Sequence, residues 1–403
     1  MTLVLDADMR PDEAAAALRE SGETRVVLAV RDELPSNDLV AALRSAGAEP
    51  FGIGTVVVGG RPPGEEARLV AGAKARLDAL GPDERGRATL TGGAISRRTL
   101  LSRGGLVTHA RVAVLDEDAC IGTARCSICI DRCPETAIAA TPFPAIDTGA
   151  CTACGLCVPR CPHGALRLSG ASTAQIEAQL SELVPGVEGV VFGSAEAPPG
   201  WAAVELPAPG LVSVGWLLQL RARGVQVRCD GADAVDALAR RLPVGPPSSL
   251  TLAEPRATVE ALDATQGDAV DDPASPLGIV AVDTERCTLC GACAAACPTD
   301  ALRFDETAVG TALVLRASDC VPCGRCAAAC PEGAVAVRPG IDLPRIRAGE
   351  VELAAAASER CSECGADLPP RPMRRRVREV LPELSAAPLE LCARCAALGS
   401  RSG

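Results

Sequence analysis

Cysteine is the residue type with which this sequence could do chemistry. There are 21 cysteines in 403 residues, and most obey one spacing. Residues 287–298 read C-x2-C-x2-C-x3-C-P, through Cys287, Cys290, Cys293, Cys297 and Pro298. Residues 320–331 repeat it with Cys320, Cys323, Cys326, Cys330 and Pro331. Residues 151–162 do so with Cys151, Cys154, Cys157, Cys161 and Pro162. A fourth copy has Cys120, Cys126, Cys129, Cys133 and Pro134, with IGTAR between its first two cysteines. Three thiolates separated by two residues can curl round one iron–sulfur cube, and the N–H groups of so tight a loop steady its negative charge. Gly155, Gly291 and Gly324 follow the second cysteine of their motifs, where a side chain would crowd the loop. The proline stops the chain from continuing as helix before it. Zinc ribbons instead use two distant CxxC pairs, and disulfide frameworks belong to small secreted domains.

The motifs come in two pairs. Each pair resembles the bacterial two-cluster ferredoxin, over residues 112–170 and again over 279–340. The resemblance implies cross-ligation, in which the fourth cysteine of each motif serves the neighbouring cube. One cube would take Cys287, Cys290, Cys293 and Cys330, and its neighbour Cys320, Cys323, Cys326 and Cys297. In the first pair the sets would be Cys151, Cys154, Cys157 and Cys133, then Cys126, Cys129, Cys161 and Cys120. Cys120 departs from the family pattern, and Thr123 stands where the usual cysteine would be. A complete four-iron cube is expected there, with a three-iron or labile site as the alternative. Ala137-Ile138, Ala165-Leu166, Ala301-Leu302 and Ala334-Val335 are read as short strands closing each half.

Cys361, Cys364, Cys392 and Cys395 form two CxxC knuckles of the zinc-ribbon or rubredoxin type. Four thiolates in a closed tetrahedral site suit structural zinc, with a single iron, a further cluster or free thiols as alternatives. Between the knuckles, Arg371, Arg374, Arg375, Arg376 and Arg378 read as a solvated helix face or as a docking patch for an acidic partner protein or nucleic acid, the latter disfavoured by the acidity of the chain. Cys229 stands alone at the end of VQVRC and reads as a buried small hydrophobe.

These sites need scaffolds. Residues 1–93 alternate apolar runs (2–5, 25–30, 55–58) with helical patterns (11–20, 37–46, 65–80), which predicts an α/β domain with a parallel sheet. The stretch from RVVLAVRDEL to ARLDAL resembles a segment of the large iron–sulfur flavoprotein subunit of heterodisulfide reductases. That family's strand ends at a cysteine; Val30 and Arg31 occupy the place here. Residues 171–245 predict a second α/β domain, with a capping box at Ser172 and Gln175. VELPAPGLVSVGWLLQLRARGVQVRC resembles the small iron–sulfur subunit linking methyl-viologen-reducing hydrogenase to heterodisulfide reductase. Ala208-Pro209-Gly210 replaces the family's cysteine-serine-glycine turn, and only Cys229 matches a family cysteine. Both blocks therefore read as docking scaffolds without their metal. Residues 246–277, rich in Pro and Asp, read as a flexible linker. The expected architecture is an α+β multidomain chain: α/β domain 1–93, ferredoxin-like 2[4Fe-4S] module 94–170, α/β domain 171–245, linker 246–277, second 2[4Fe-4S] module 278–340 and zinc-ribbon-like tail 341–403.

Composition narrows the function. The net charge of −11 and the shortage of aromatics, with four Phe, two Trp and no Tyr, argue against nucleic-acid binding. Asp6, Asp8, Asp12 and Glu13 interrupt any signal-peptide core, and Glu205, Pro207 and Pro209 break the most apolar stretch, 202–220. A cytoplasmic protein without a membrane span is expected. ISRRTLLSRG (95–104) carries a twin-arginine pair, Arg97 and Arg98, but no apolar run follows, so export is not expected. Gly52, Gly54 and Gly59 make no dinucleotide fingerprint, and His109 and His163 join no recognisable motif. The expectation is an electron-transfer iron–sulfur protein with four [4Fe-4S] clusters. It would be the wiring subunit of a larger oxidoreductase of hydrogenase, formate dehydrogenase or heterodisulfide reductase type. Its partners would be redox enzyme subunits or soluble electron carriers. The alternative is a redox-sensing regulatory or assembly protein that docks through its clusters and zinc tail; a stand-alone enzyme is a further reading, with less support than electron transfer.

Overall fold

Val26–Val30 is buried along its whole length, as a strand covered on both faces must be. It is the centre of a parallel sheet flanked by Leu3–Asp6 and Ile53–Val57. Val26, Leu28 and Val30 pack with Leu18 of helix Pro11–Ser21 and Leu39 and Leu43 of helix Asn37–Ser45. Val27, on the opposite face, meets Ala73 and Leu77 of helix Pro63–Asp78. The computed structural model describes residues 2–31, 35–81, 87–90, 107–193, 196–247, 250, 254–306, 309–381 and 388–399. The twin-arginine stretch 95–104 and the side chain of His109 lie outside the described residues. The chain forms two compact units, Met1–Leu262 and Asp263–Gly403.

In the first unit a second parallel sheet has Gly189–Phe192 between Trp201–Val204 and Gln226–Cys229. Helix Thr173–Leu183 opens with the expected capping box. Gln175 N–H donates to Ser172 Oγ at 3.4 Å, and Ser172 N–H to Gln175 Oε1 at 3.0 Å. This helix joins the two α/β blocks by packing on helix Pro63–Asp78. A Cβ on Gly72 would lie 2.8 Å from Leu183 Cγ, so glycine permits that approach.

Helix Val214–Ala222 is buried from Val214 through Leu220, and the reason lies in the stretch expected to be a flexible linker. Residues 254–262 are structured instead. Helix Arg256–Ala261 buries Ala257, Thr258 and Ala261 against Val214–Ala222, where a Cβ on Gly215 would lie 2.6 Å from Ala257 Cβ. Glu254 is buried and accepts from Gly215 N–H at 2.7 Å and from the Thr258 hydroxyl at 2.9 Å. Further on, Ala269–Asp271 is a strand.

Each cysteine motif is held between short antiparallel pairings. In the first unit Ala113–Leu115 pairs with Leu166–Leu168, and Ile138–Ala139 with Ala145–Ile146. In the second unit Val335–Asp342 lies between Ala269–Asp271 and Gly278–Val282, and Gly310–Arg316 between Leu302–Glu306 and Glu350–Ala357. Strands thus start at or beside the four expected Ala-apolar dipeptides. Glu350–Ala357 lies within the expected tail yet extends the sheet of the second cysteine module. No helix among the described residues is long and apolar enough to cross a membrane.

Candidate metal centres

Four groups of thiols, buried or half-buried except for the exposed Cys290, form in the two modules. Burial, then the neighbouring Cys126, Cys161 and Cys120, push the Cys129 thiol up to about 12. The stretched IGTAR loop therefore still brings Cys120 to its companions. Thr123 does not take a ligand's part: its hydroxyl donates to the Thr141 carbonyl, and its N–H to Pro142 O at 3.1 Å. Cys157 is likewise pushed up to about 12 by burial, then by Cys154, Cys151 and Cys129. Cys133 joins Cys151, Cys154 and Cys157 around a single small cavity of about 20 Å³.

The second unit repeats the arrangement. Cys293 is pushed up to about 11 by burial, then by Cys287, Cys290 and Cys330. Cys326 is raised to about 11 by burial, then by Cys323, Cys297 and Cys293, and Cys320 is raised by burial, then by Cys326, Cys297 and Cys323. In every group the fourth cysteine of one motif sits with the first three of the other. The groups within a module adjoin through their third cysteines, since Cys157 feels Cys129 and Cys326 feels Cys293. Clustered thiols hold one another's protons on by mutual repulsion, and a cation among them reverses that repulsion and takes the thiolates it needs. The donor sets fit [4Fe-4S] clusters, whose negative charge is steadied by hydrogen bonds to sulfur.

Such bonds are built in at the fourth cysteine. Ala137, Ala165 and Ala334 N–H donate to the Sγ of Cys133, Cys161 and Cys330 at 3.3, 3.3 and 3.2 Å. The residue before each alanine has positive φ: Thr136 at 49°, Gly164 at 64° and Gly333 at 56°, with Asp300 at 53° in the remaining copy. That left-handed step is strained for a residue with a side chain and turns the next N–H back onto the sulfur. The signal was present as C-P-x-x-Ala in all four copies, but composition does not reveal a dihedral angle.

The scaffold also grips the cluster loops. Gly155 has φ +79°, and a Cβ there would lie 2.9 Å from Leu211 Cγ; one on Gly210 would lie 2.3 Å from Cys154 O. The Pro209–Leu211 turn thus abuts the loop of Cys154. Gly324 has φ +76° with open space around it, so backbone conformation and not crowding explains that glycine. Cys229 is buried at the end of its strand, and burial lifts its thiol to about 12. Arg31 pairs with Asp6 at 3.3 Å and Glu66 at 2.7 Å.

The C-terminal knuckles converge. The sulfurs of Cys361, Cys364, Cys392 and Cys395 lie within 4.8 Å of one another. Cys361 opens the loop of a hairpin of Glu359–Arg360 and Asp367–Leu368, and Cys395 lies in helix Ala393–Gly399. Cys392 N–H donates to Cys361 Sγ at 3.3 Å. Hydrogen bonds from backbone N–H groups, that of Cys392 foremost, draw the Cys361 thiol down to about 6, whereas bonds to Cys364 and Cys392 push Cys395 up to about 12. One ready thiolate beside one reluctant thiol suits stepwise capture of a cation. The arginine run forms helix Arg371–Val380, but Arg374 is neither solvated nor available for docking. Its side chain is 9% exposed. It donates to Pro369 O at 2.9 Å, to Leu389 O and to the Glu359 carboxylate, and so clamps the flanks of both knuckles.

Comparison with known families agrees with this geometry. The 4Fe-4S dicluster domain matches residues 286–334, and the 4Fe-4S binding domain matches residues 144–167. The chain therefore carries two 4Fe-4S ferredoxin-type domains. The stretched copy at 120–133 falls outside both matches. No curated protein matches the chain.

Proposed function

We propose that the chain is an electron-transfer protein holding four [4Fe-4S] clusters, cross-ligated in two pairs. The observation that carries this is the company each thiol keeps: Cys129 has Cys161, Cys293 has Cys330 and Cys326 has Cys297 as neighbours. The ligand sets are Cys120, Cys126, Cys129 and Cys161; Cys151, Cys154, Cys157 and Cys133; Cys287, Cys290, Cys293 and Cys330; and Cys320, Cys323, Cys326 and Cys297. The clusters supply one-electron redox chemistry, and the protein supplies placement and electrostatics. Cys361, Cys364, Cys392 and Cys395 hold zinc as a structural site. The two α/β blocks dock a redox enzyme subunit of hydrogenase, formate dehydrogenase or heterodisulfide reductase type. The resemblances of those blocks, and the turn Pro209–Leu211 against the Cys154 loop, support that reading.

The test is oxygen-free purification with iron, sulfide and zinc counts and electron paramagnetic resonance. Four cubes require about sixteen iron atoms per chain; zinc throughout, or iron far below that, refutes the proposal. Cys120→Ser should convert one signal to a three-iron type. A second reading, redox sensing, is favoured by one contact: Arg376 of the tail helix pairs at 2.8 Å with Glu332, two residues beyond Cys330. A tail that leaves this place when the neighbouring cluster is oxidised away would support it.

A further inference from the structure

The fourth cysteine of each motif is followed by proline and then by a residue that differs between copies: Glu135, His163, Thr299 and Glu332. Of these four, Thr299 is the one with a hydroxyl, and its Oγ1 lies 3.7 Å from Cys297 Sγ. A cysteine that holds a metal is a thiolate and can only accept, so the proton in this contact belongs to Thr299. A carboxylate at the same place would have no proton to give. Cys297 joins Cys320, Cys323 and Cys326, the more deeply set group of the second module. Cys320 and Cys326 are 6% and 7% exposed, whereas the adjoining group includes the exposed Cys290. Reduction adds a negative charge, and burial disfavours it. Burial alone would therefore make the deeper cluster harder to reduce than its neighbour, beside which Cys326 and Cys293 place it.

Building on the four-cluster reading above, we propose that Thr299 sets a potential. Its hydroxyl donates to Cys297 Sγ and makes the cluster on Cys297, Cys320, Cys323 and Cys326 easier to reduce, offsetting its burial. A hydrogen bond to sulfur strengthens as the sulfur gains charge, so it favours the reduced state. The backbone holds the hydroxyl in place: Thr299 is half-buried between Pro298 and the left-handed Asp300, at φ 53°. Neighbouring one-electron centres share an electron evenly only when their potentials are close, and a tenfold bias is about 59 mV. Thr299 thus keeps the step between the two adjoining clusters usable in both directions.

The experiment is a redox titration of the full chain, purified without oxygen and followed by electron paramagnetic resonance, with iron counted on the same samples. Thr299→Val keeps the shape and removes the hydroxyl. It should leave the iron unchanged and make one cluster about tenfold harder to reduce, a fall of about 59 mV for one electron. Thr299→Ser should restore the parent midpoint. Thr299→Ala carries the test if the valine chain holds less iron than the parent; loss of a cluster in both makes the hydroxyl a structural group and overturns the proposal. Full iron with unmoved midpoints, or a fall that serine does not restore, also overturns it and leaves the four-cluster reading standing. Iron far below about sixteen atoms per chain in the unaltered protein refutes that reading, and this proposal with it.

Discussion

Removing Arg374 should loosen the C-terminal metal site more than removing any other arginine of its helix. The guanidinium joins Pro369 O, Leu389 O and the Glu359 carboxylate, groups on the flanks of different knuckles. A hydrogen bond to a charged group contributes about 1.5–3 kcal/mol, and three sharing one side chain do not add. Deleting a buried charged partner costs about 3–5 kcal/mol. We take about 3–4 kcal/mol for Arg374→Ala. A site built from two separate knuckles forms only when they meet, so this cost appears in metal affinity. It corresponds to a loss of about 10²–10³-fold. Arg374→Lys should fall between, because one ammonium cannot span three acceptors. Arg375→Ala is the control: its side chain is 61% exposed, and exposed pairs contribute about 0–1 kcal/mol. The assay is equilibrium competition with a chromophoric zinc chelator under argon. If Arg374→Ala binds metal within about threefold of the parent, the clamp is not coupled to the site and the reasoning fails.

Cys330→Ala should abolish the cluster on Cys287, Cys290 and Cys293 and spare the one on Cys320, Cys323 and Cys326, removing about four iron atoms per chain; loss of the second cluster's signal instead would refute cross-ligation. Gly155→Ala should speed iron loss on warming more than Gly324→Ala. Both place a side chain at positive φ, for about 1–2 kcal/mol, but only the first meets Leu211, for about 1–3 kcal/mol more; equal rates would refute it. Burial raises the Glu254 carboxyl, so the folded chain keeps a proton there that the unfolded chain has lost. Its contribution to stability is therefore greatest below the ordinary pKa of about 4.3 and declines as pH rises through the raised folded value. Glu254→Gln should flatten that decline in urea melts, and an unchanged slope would show that another group causes it.

The sequence made strands and helices of the α/β blocks legible because each lies against a sheet or helix with its own period. Gly189–Phe192 was readable to the residue, and Ser172 with Gln175 marked the start of their helix. The cysteine groups were legible for a different reason: metal geometry restricts spacing more tightly than packing does. What escaped was set by tertiary partners. Residues 254–262 look linker-like because Ala and Thr can line a buried contact without any periodic pattern, and only Gly215 on the facing helix makes that contact possible. VELAAAA favours helix by propensity, yet Glu350–Ala357 is a strand because Gly310–Arg316 offers it an edge. Arg374 could not be told from its neighbours in RPMRRRVREV, since burial of one arginine in five depends on where the second knuckle returns.

The stretched copy at 120–133 shows where a physical criterion reaches further than spacing. It lies outside the matched family regions, and its first gap departs from the motif. Yet Thr136 adopts the same left-handed step as Gly164, Asp300 and Gly333, and Ala137 N–H reaches Cys133 Sγ at the same 3.3 Å as Ala165 N–H reaches Cys161 Sγ. A non-glycine residue holds that conformation only where its surroundings over-determine it. A copy decaying from lack of use would have no cause to retain a strained threonine aimed at sulfur stabilisation. The insertion therefore changes how Cys120 arrives, while the hydrogen bonding that steadies a reduced cluster stays common to this copy and its partner.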